Sequence, residues 1–218
     1  TSTNPTDLTT VNDTSEMGND GTLIGNAYYS IGDKAFKFDG SGDYISTPDI
    51  GFSGDQAVSV SIWFKYNGVP TSRQDIFGIG KGGTGTQFGI ATYTPGTYLY
   101  TGANDLYNTG YNLITDTSWH HIVAIYRGGT PSTTTMSLYL DNVNVIGNLN
   151  GTNATQAANF DVNNCPFNVG AAAPGTNPIN GSISNPKLYN TALTAGDVKK
   201  LYDMGRGDSY HVTNFQNT

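Results

Sequence analysis

The stretch VSVSIWFKY, residues 58–66, alternates without a break. Successive side chains of a strand point to opposite faces. Val58, Val60, Ile62, Phe64 and Tyr66 therefore share one side, and Ser59, Ser61, Trp63 and Lys65 share the other. Wound as a helix, the same residues would scatter their apolar positions around the axis. The chain must instead contain a half-buried antiparallel strand, and hence a sheet with one face to cover. MSLYLD (136–141) repeats the pattern, with Met136, Leu138 and Leu140 together. NVNVI follows directly, so Asp141-Asn142 is expected to form a two-residue hairpin turn. KAFKFDG, DIFGIG, QFGIATY and PFNVG supply further short strands bounded by glycine. Pro186, in ISNPK, suggests an edge or a bulge.

One helix stands out, TAGDVKKLYDMG at 194–205. Thr194 can cap it, Asp197 suits its first turn, and Val198, Leu201 and Tyr202 fall at i, i+3, i+4. Gly205 is placed to stop it. Many short strands, glycine-rich turns and one small helix imply an all-β fold, a two-sheet antiparallel β-sandwich of the jelly-roll type with one short C-terminal helix. The expected organisation is an N-terminal tail (1–10), one domain (11–205) and a polar C-terminal tail or linker (206–218).

Composition narrows the function. The net charge is −7 with only 10 Lys and Arg, which argues against a nucleic-acid partner. No apolar run approaches the length of a membrane span, so no membrane insertion is expected. Cys165 is the single cysteine, which excludes an internal disulfide and suits buried packing. The sequons at Asn12, Asn150, Asn153 and Asn180 arise easily in so Asn- and Thr-rich a chain. The first residue is not Met, and the chain reads as a processed protein or an excised domain.

The chain has 3 histidines, two of them adjacent in SWHHIVAIYRGG (118–129). On a strand His120 shares a face with Ile122, Ala124 and Tyr126, and His121 with Val123 and Ile125. The pair therefore cannot meet at one metal without a bulge. His120, on the inward set, is expected to be the more structural of the two.

That segment, with MSLYLDNV after it, resembles a signature of the laminin-G-like, concanavalin-A-like jelly rolls. The likeness runs in order through DTSEMGNDGTL (13–23), AFKFDGSGDYIS (35–46), VSVSIWFK, IFGIGKGG and INGSISNPKLYNTALTAGDVKKLYD (179–203). It departs from the family pattern at Ser184 and Asn185, where the family carries an acidic pair. The resemblance implies the sandwich fold. It leaves function open, because the fold serves lectins, adhesion modules, virion proteins and polysaccharide-degrading enzymes alike.

An enzyme is not expected. Glycoside hydrolysis usually needs two carboxyl groups across the bond, whereas Glu16 is the only glutamate and no strand carries an Asp-x-Asp pair. The resemblance also implies one structural calcium, with Asp13, Asp39 and Asp43 as its loop aspartates. The alternative is that these aspartates make only Asx turns and caps.

The segment TYTPGTYLYTGANDLYNTGYN (92–112) is unusually rich in tyrosine. Tyr98, Tyr100, Tyr107 and Tyr111 can stack on sugars, while Asn104, Asp105 and Asn108 can bond hydroxyls. Packing in the core or against a neighbouring subunit is the alternative. The expected function is a non-catalytic recognition module outside the cell that binds a glycan or a cell-surface protein. The alternatives are a virion or phage surface subunit, assembled as an oligomer or on a particle, and a divergent polysaccharide-degrading enzyme. RGD at 206–208 matches an adhesion tripeptide, with a solvated tail as the default.

Overall fold

The computed structural model describes residues 9–15, 17–81, 86–93, 96–101, 106–108, 113–149, 151–152, 162–172, 175–206 and 214–215. The strands begin with β1 (Thr10–Val11), β2 (Gly21–Ile24), β3 (Tyr28–Ser30), β4 (Ala35–Asp39), β5 (Tyr44–Asp49) and β6 (Val58–Tyr66). They continue with β7 (Gln74–Gly80), β8 (Gln87–Tyr93), β9 (Gly96–Tyr100), β10 (Leu106–Asn108), β11 (His120–Tyr126) and β12 (Met136–Leu140). The last are β13 (Val143–Asn144), β14 (Gly151–Thr152), β15 (Pro166–Val169), β16 (Asn180–Tyr189) and β17 (Asn214–Phe215), with helix α1 (Ala195–Asp203) before β17.

Two sheets result. The larger runs β1-β2-β5-β15-β7-β8-β9-β10-β14. The other runs β13-β12-β11-β6-β16-β4-β3, with β17 alongside β16. Neighbours within each run are antiparallel, and β17 pairs β16 in parallel. The all-β sandwich expected from the alternation is the fold observed.

The core lies between the sheets. Val58, Val60, Ile62, Phe64 and Tyr66 are at most 1% exposed, as are Ile122, Ala124 and Tyr126 of the neighbouring strand. They meet Ile45, Phe77, Ile79, Phe88, Ile90, Leu99, Phe167 and Val169 of the facing sheet in one cluster. Each such aliphatic or aromatic side chain contributes about 1.5–3 kcal/mol on burial. The Tyr66 hydroxyl crosses the core to Thr92 Oγ1, so its polar end is satisfied inside. Cys165 is buried, with its thiol donating to the Val162 carbonyl.

Local chemistry places the connections. Asp141 and Asn142 both take positive φ, 49° and 66°, and Leu140 pairs Val143 across the turn. Both residues tolerate the left-handed region that a tight hairpin needs. The Pro186 stretch lies in β16, which is central rather than an edge, and there the register slips between Ser184 and Lys187. Asn185, at φ 51°, forms the bulge, so the proline needs no ladder donor.

Helix α1 opens on a capping box in which Asp197 N–H donates to Thr194 Oγ1 and Thr194 N–H donates to Asp197. Gly205, at φ 66°, follows its end. The helix covers part of the outer side of the smaller sheet, where Val198 and Leu201 pack with Leu193, Tyr189, Val123 and Ile125 in a second apolar cluster. Among the described residues no helix is long and apolar enough to cross a membrane.

Candidate functional site

The outer side of the larger sheet carries a charged and aromatic assembly built on β7, β8 and β9. In β9 the alternation sends Leu99 into the core and Tyr98 and Tyr100 outward. Gly89 of β8 pairs Tyr100, and a Cβ at that glycine would overlap the Tyr100 ring and the Phe77 carbonyl. Only a bare backbone therefore lets the ring lie down across the neighbouring strand, where its hydroxyl reaches the Phe77 carbonyl at 3.4 Å. Tyr100 is 3% exposed and packs with Ala91, Ala172 and the half-buried Tyr98.

Arg73 completes the stack, with its guanidinium carbon 5.0 Å from the Tyr100 ring centroid. Its Nε and Nη2 donate to the two oxygens of Asp75 at 3.0 and 2.9 Å, a bidentate fork. The Asp75 side chain is fully buried, whereas that of Arg73 is 46% exposed. Burial pushes the Asp75 carboxyl above its ordinary value against the opposing pull of Arg73. Burial alone would lower Arg73, but the hydrogen bonds and charge of Asp75 outweigh it and leave the guanidinium raised. Burial, then the charge of Asp75, drives the Tyr100 phenol upward. The loop after β15 closes one side: Asp75 N–H donates to the Asn177 carbonyl, and Asn168 Nδ2 donates to the Ala172 carbonyl.

Of the residues singled out from the sequence, Tyr98 and Tyr100 do share this face. Tyr100 is part of its floor rather than an open platform. Tyr107 and Asn108 lie on β10, opposite Tyr98 and Thr97 by register. Asn104, Asp105 and Tyr111 lie outside the described residues, as does Glu16. Sequence reading missed Arg73, Asp75 and Gly89. The usable signal was the Arg-x-Asp spacing, which puts both side chains on one strand face.

The three loop aspartates organise backbone. Asp13 accepts from Ser15 N–H, Ser15 Oγ and Asn19 N–H at 2.8–3.0 Å. Asp43, 1% exposed, accepts from Asn26 N–H at 2.8 Å and Asp39 N–H at 3.0 Å. Asp39 accepts from Ser41 N–H and Asn26 Nδ2. Among the described residues no three His, Cys, Asp or Glu side chains group as metal ligands. Asp13 and Asp39 each accept from the N–H two residues on, as in Asx turns, whereas Asp43 ties the 39–43 loop to Asn26.

The histidines separate as strand alternation requires, but the burial order is the reverse of the expectation. His120 pairs Phe64 at the start of β11 and is held at the rim by Asp141 Oδ2 (2.8 Å) and Asp116 Oδ1 (3.1 Å). His121 is 1% exposed although it points away from the core, because α1 covers it. Its Nε2 lies 2.8 Å from Ser61 Oγ, and its ring sits among Trp63 and Tyr202. Burial above all, with the charge of Lys187, pushes His121 down to about 4 against the pull of Asp141.

Arg206, the first residue of RGD, is held by the fold: its guanidinium carbon is 4.1 Å from the Trp119 ring centroid and its Nη1 donates to the Asp33 carbonyl at 3.1 Å. Gly207 and Asp208 lie outside the described residues.

Comparison with known proteins adds the following. A laminin-G-type family model, described as the concanavalin A-like lectin/glucanases superfamily, matches residues 39–199. No curated protein matches the sequence. Domain 4 of AbnA, a GH43 extracellular arabinanase from Geobacillus stearothermophilus solved with arabinotriose, superposes with a TM-score of 0.58 at 22% identity, covering 87% of this chain and 93% of that one. Trypanosoma rangeli sialidase in complex with sialic acid superposes with a TM-score of 0.58 at 15% identity, over 89% of this chain. There the chain spans only 31% of the sialidase.

Proposed function

The chain belongs to the concanavalin A-like lectin/glucanase superfamily, and from that premise we propose that it is a non-catalytic carbohydrate-binding module working outside the cell. The observation that carries this reading is the Arg73 fork, set on Tyr100 by the buried Asp75 beside the half-buried Tyr98. A buried ion pair returns little net stability, because desolvation offsets the attraction. It does hold a partly exposed guanidinium at one angle next to an aromatic ring. A sugar presents an apolar face and a fringe of hydroxyls. Tyr98 offers an apolar plane with a polar tip, and Arg73 offers directional donors. The arabinanase domain and the sialidase, whose structures contain arabinotriose and sialic acid, support a carbohydrate ligand for this fold.

The non-catalytic part rests on the side chains. Hydrolysis of a glycosidic bond usually takes two carboxyl groups, one poised as an acid. Both oxygens of Asp75 are engaged by Arg73, and the chain has one glutamate. A glycan array followed by calorimetry on the full chain tests the reading. Tyr98→Ala should weaken the best glycan about ten-fold with the melting temperature kept, and chromatography should find no cleavage product. Unchanged affinity in Tyr98→Ala and Arg73→Lys, or turnover abolished by one substitution, overturns it.

A further inference from the structure

The outer side of the smaller sheet carries a second arrangement, separate from the Arg73 face. Ser182 of β16 pairs Lys37 of β4 on one side and Lys65 of β6 on the other. All three point outward, because their neighbours Phe36, Phe38, Phe64, Tyr66 and Ile183 fill the core. Trp119 continues the row, with Lys65 Nζ 5.4 Å from its ring centroid. Arg206, arriving after α1, lies against the same ring.

The charge balance of this row is unusual. The chain is −7 overall and has 10 Lys and Arg, yet three of them surround one indole and one carboxylate. Asp33 is that carboxylate, and it takes Lys37 at 2.6 Å, while Lys37 also donates to Ser182 Oγ at 3.0 Å. Arg206 bonds only the carbonyl of Asp33, not its charge. Asp116, three residues before Trp119, is tied to Ser118 N–H and His120. Among the described residues neither Lys65 nor Arg206 has a carboxylate within ion-pair distance. Cation–π contact fixes a cation in place without cancelling its charge. The strands of Lys37 and Lys65 stand roughly 10 Å apart, a reach that suits neighbouring substituents on one oligosaccharide.

We infer that the row Lys37, Lys65, Trp119 and Arg206, laid over the fully buried Ser182, is a second carbohydrate site, selective for glycans bearing sulfate or carboxylate groups. Ammonium and guanidinium donors take the anionic substituents, the indole N–H is of a type to take a hydroxyl, and the buried Ser182 hydroxyl serves only to position Lys37. The net negative charge of the rest of the molecule disfavours long polyanions, so a short acidic oligosaccharide is the occupant that fits.

The test uses the full chain and calorimetry at 50 and 300 mM NaCl. The probes are a sulfated heparin tetrasaccharide, a galacturonate tetrasaccharide, an uncharged tetrasaccharide and a short DNA strand. At least one acidic sugar should bind at least ten-fold tighter than the uncharged one at low salt and weaken as salt rises. The double variant Lys37→Gln, Lys65→Gln should lose at least ten-fold in that binding while keeping the circular-dichroism spectrum of the wild type and full binding at the Arg73 face. Tyr98→Ala should leave it intact, which separates this site from the Arg73 face. The sulfated and galacturonate arms decide which anionic group is read. Equal binding of charged and uncharged sugars, full binding by the double variant, or DNA binding as tight as the sugar overturns the proposal.

Discussion

His121 stacks on Trp63 with ring centroids 5.0 Å apart and planes inclined by 29°. Tyr202 of α1 lies on the same pair, 5.6 Å from Trp63 and 5.9 Å from His121. The helix is therefore joined to the sheet through a histidine whose Nε2 is hydrogen-bonded to Ser61. His121→Ala should open a cavity beneath the helix and leave Ser61 without its partner, costing about 2–4 kcal/mol. His120→Ala removes contacts to two aspartates at the rim and should cost about 1 kcal/mol or less. Paired urea melts check the order. Equal losses would mean that α1 does not depend on the stack.

The same histidine sets a pH dependence. It titrates at about 4 in the folded chain against 6.5 for an unhindered imidazole. Between those values the unfolded chain binds the proton and the folded one does not, so stability rises with pH across that window and is lost as pH falls through it. A shift of this size corresponds to about 3 kcal/mol. Asp33, Asp39, Asp116 and Asp197 are lowered by hydrogen bonds and nearby charge, so their contribution fades only below about 4. Urea melts at pH 7, 5.5 and 4.5 should show a steady loss in the wild type and a flatter profile in His121→Phe. Parallel profiles would show that another group controls the acid limb.

What could be read from the sequence was what depends on near neighbours. The alternation at 58–66, the Asp141-Asn142 turn and the Thr194 capping box each follow from a few adjacent residues, and each is found. Alternation also places His120 and His121 on opposite faces. It does not say that a helix some 75 residues later covers the outer one, so the burial order came out reversed. The same limit hid Lys187, a lysine of β16 opposite Ser61 that is only 6% exposed. Tyr98 and Tyr100 were legible as candidates within a tyrosine-rich segment. That Tyr100 would lie flat depended on Gly89 in the next strand and on Arg73 above it, contacts set by register rather than by spacing.

Gly89 gives a direct check on that stack. A methyl group there would overlap the Tyr100 ring and the Phe77 carbonyl, and the backbone side of the clash has little room to give. Gly89→Ala should lift the ring, cost about 1–3 kcal/mol as overpacking does, and weaken the glycan identified on the array by disturbing Arg73. Thermal melts and calorimetry on the purified variant measure both. Wild-type values in both would show that the ring is not held against the strand.

The last prediction concerns the ion pair itself. Arg73→Ala leaves a carboxylate with 0% side-chain exposure and no guanidinium. Removing one partner of a fully buried pair typically costs about 3–5 kcal/mol, and with Arg73 itself 46% exposed the loss here should fall below that range. The Asp75 carboxyl is already raised by burial, and losing Arg73 removes its main opposing influence, so it should rise further. A group whose folded value lies above its unfolded one adds stability below the unfolded value and loses it as pH rises through the folded one. The deficit of Arg73→Ala against the wild type should therefore be small near pH 4 and grow toward pH 7. Adding Asp75→Asn to Arg73→Ala should restore stability at pH 7, since a neutral amide costs less to bury than a lone carboxylate. Glycan affinity should stay low in the double variant, because the fork that orients the ligand is gone. Denaturant melts across pH, run beside the binding assay, separate the two roles. A double variant that binds as the wild type does would place the sugar elsewhere, and one no more stable than Arg73→Ala would show that the buried charge was never the cost.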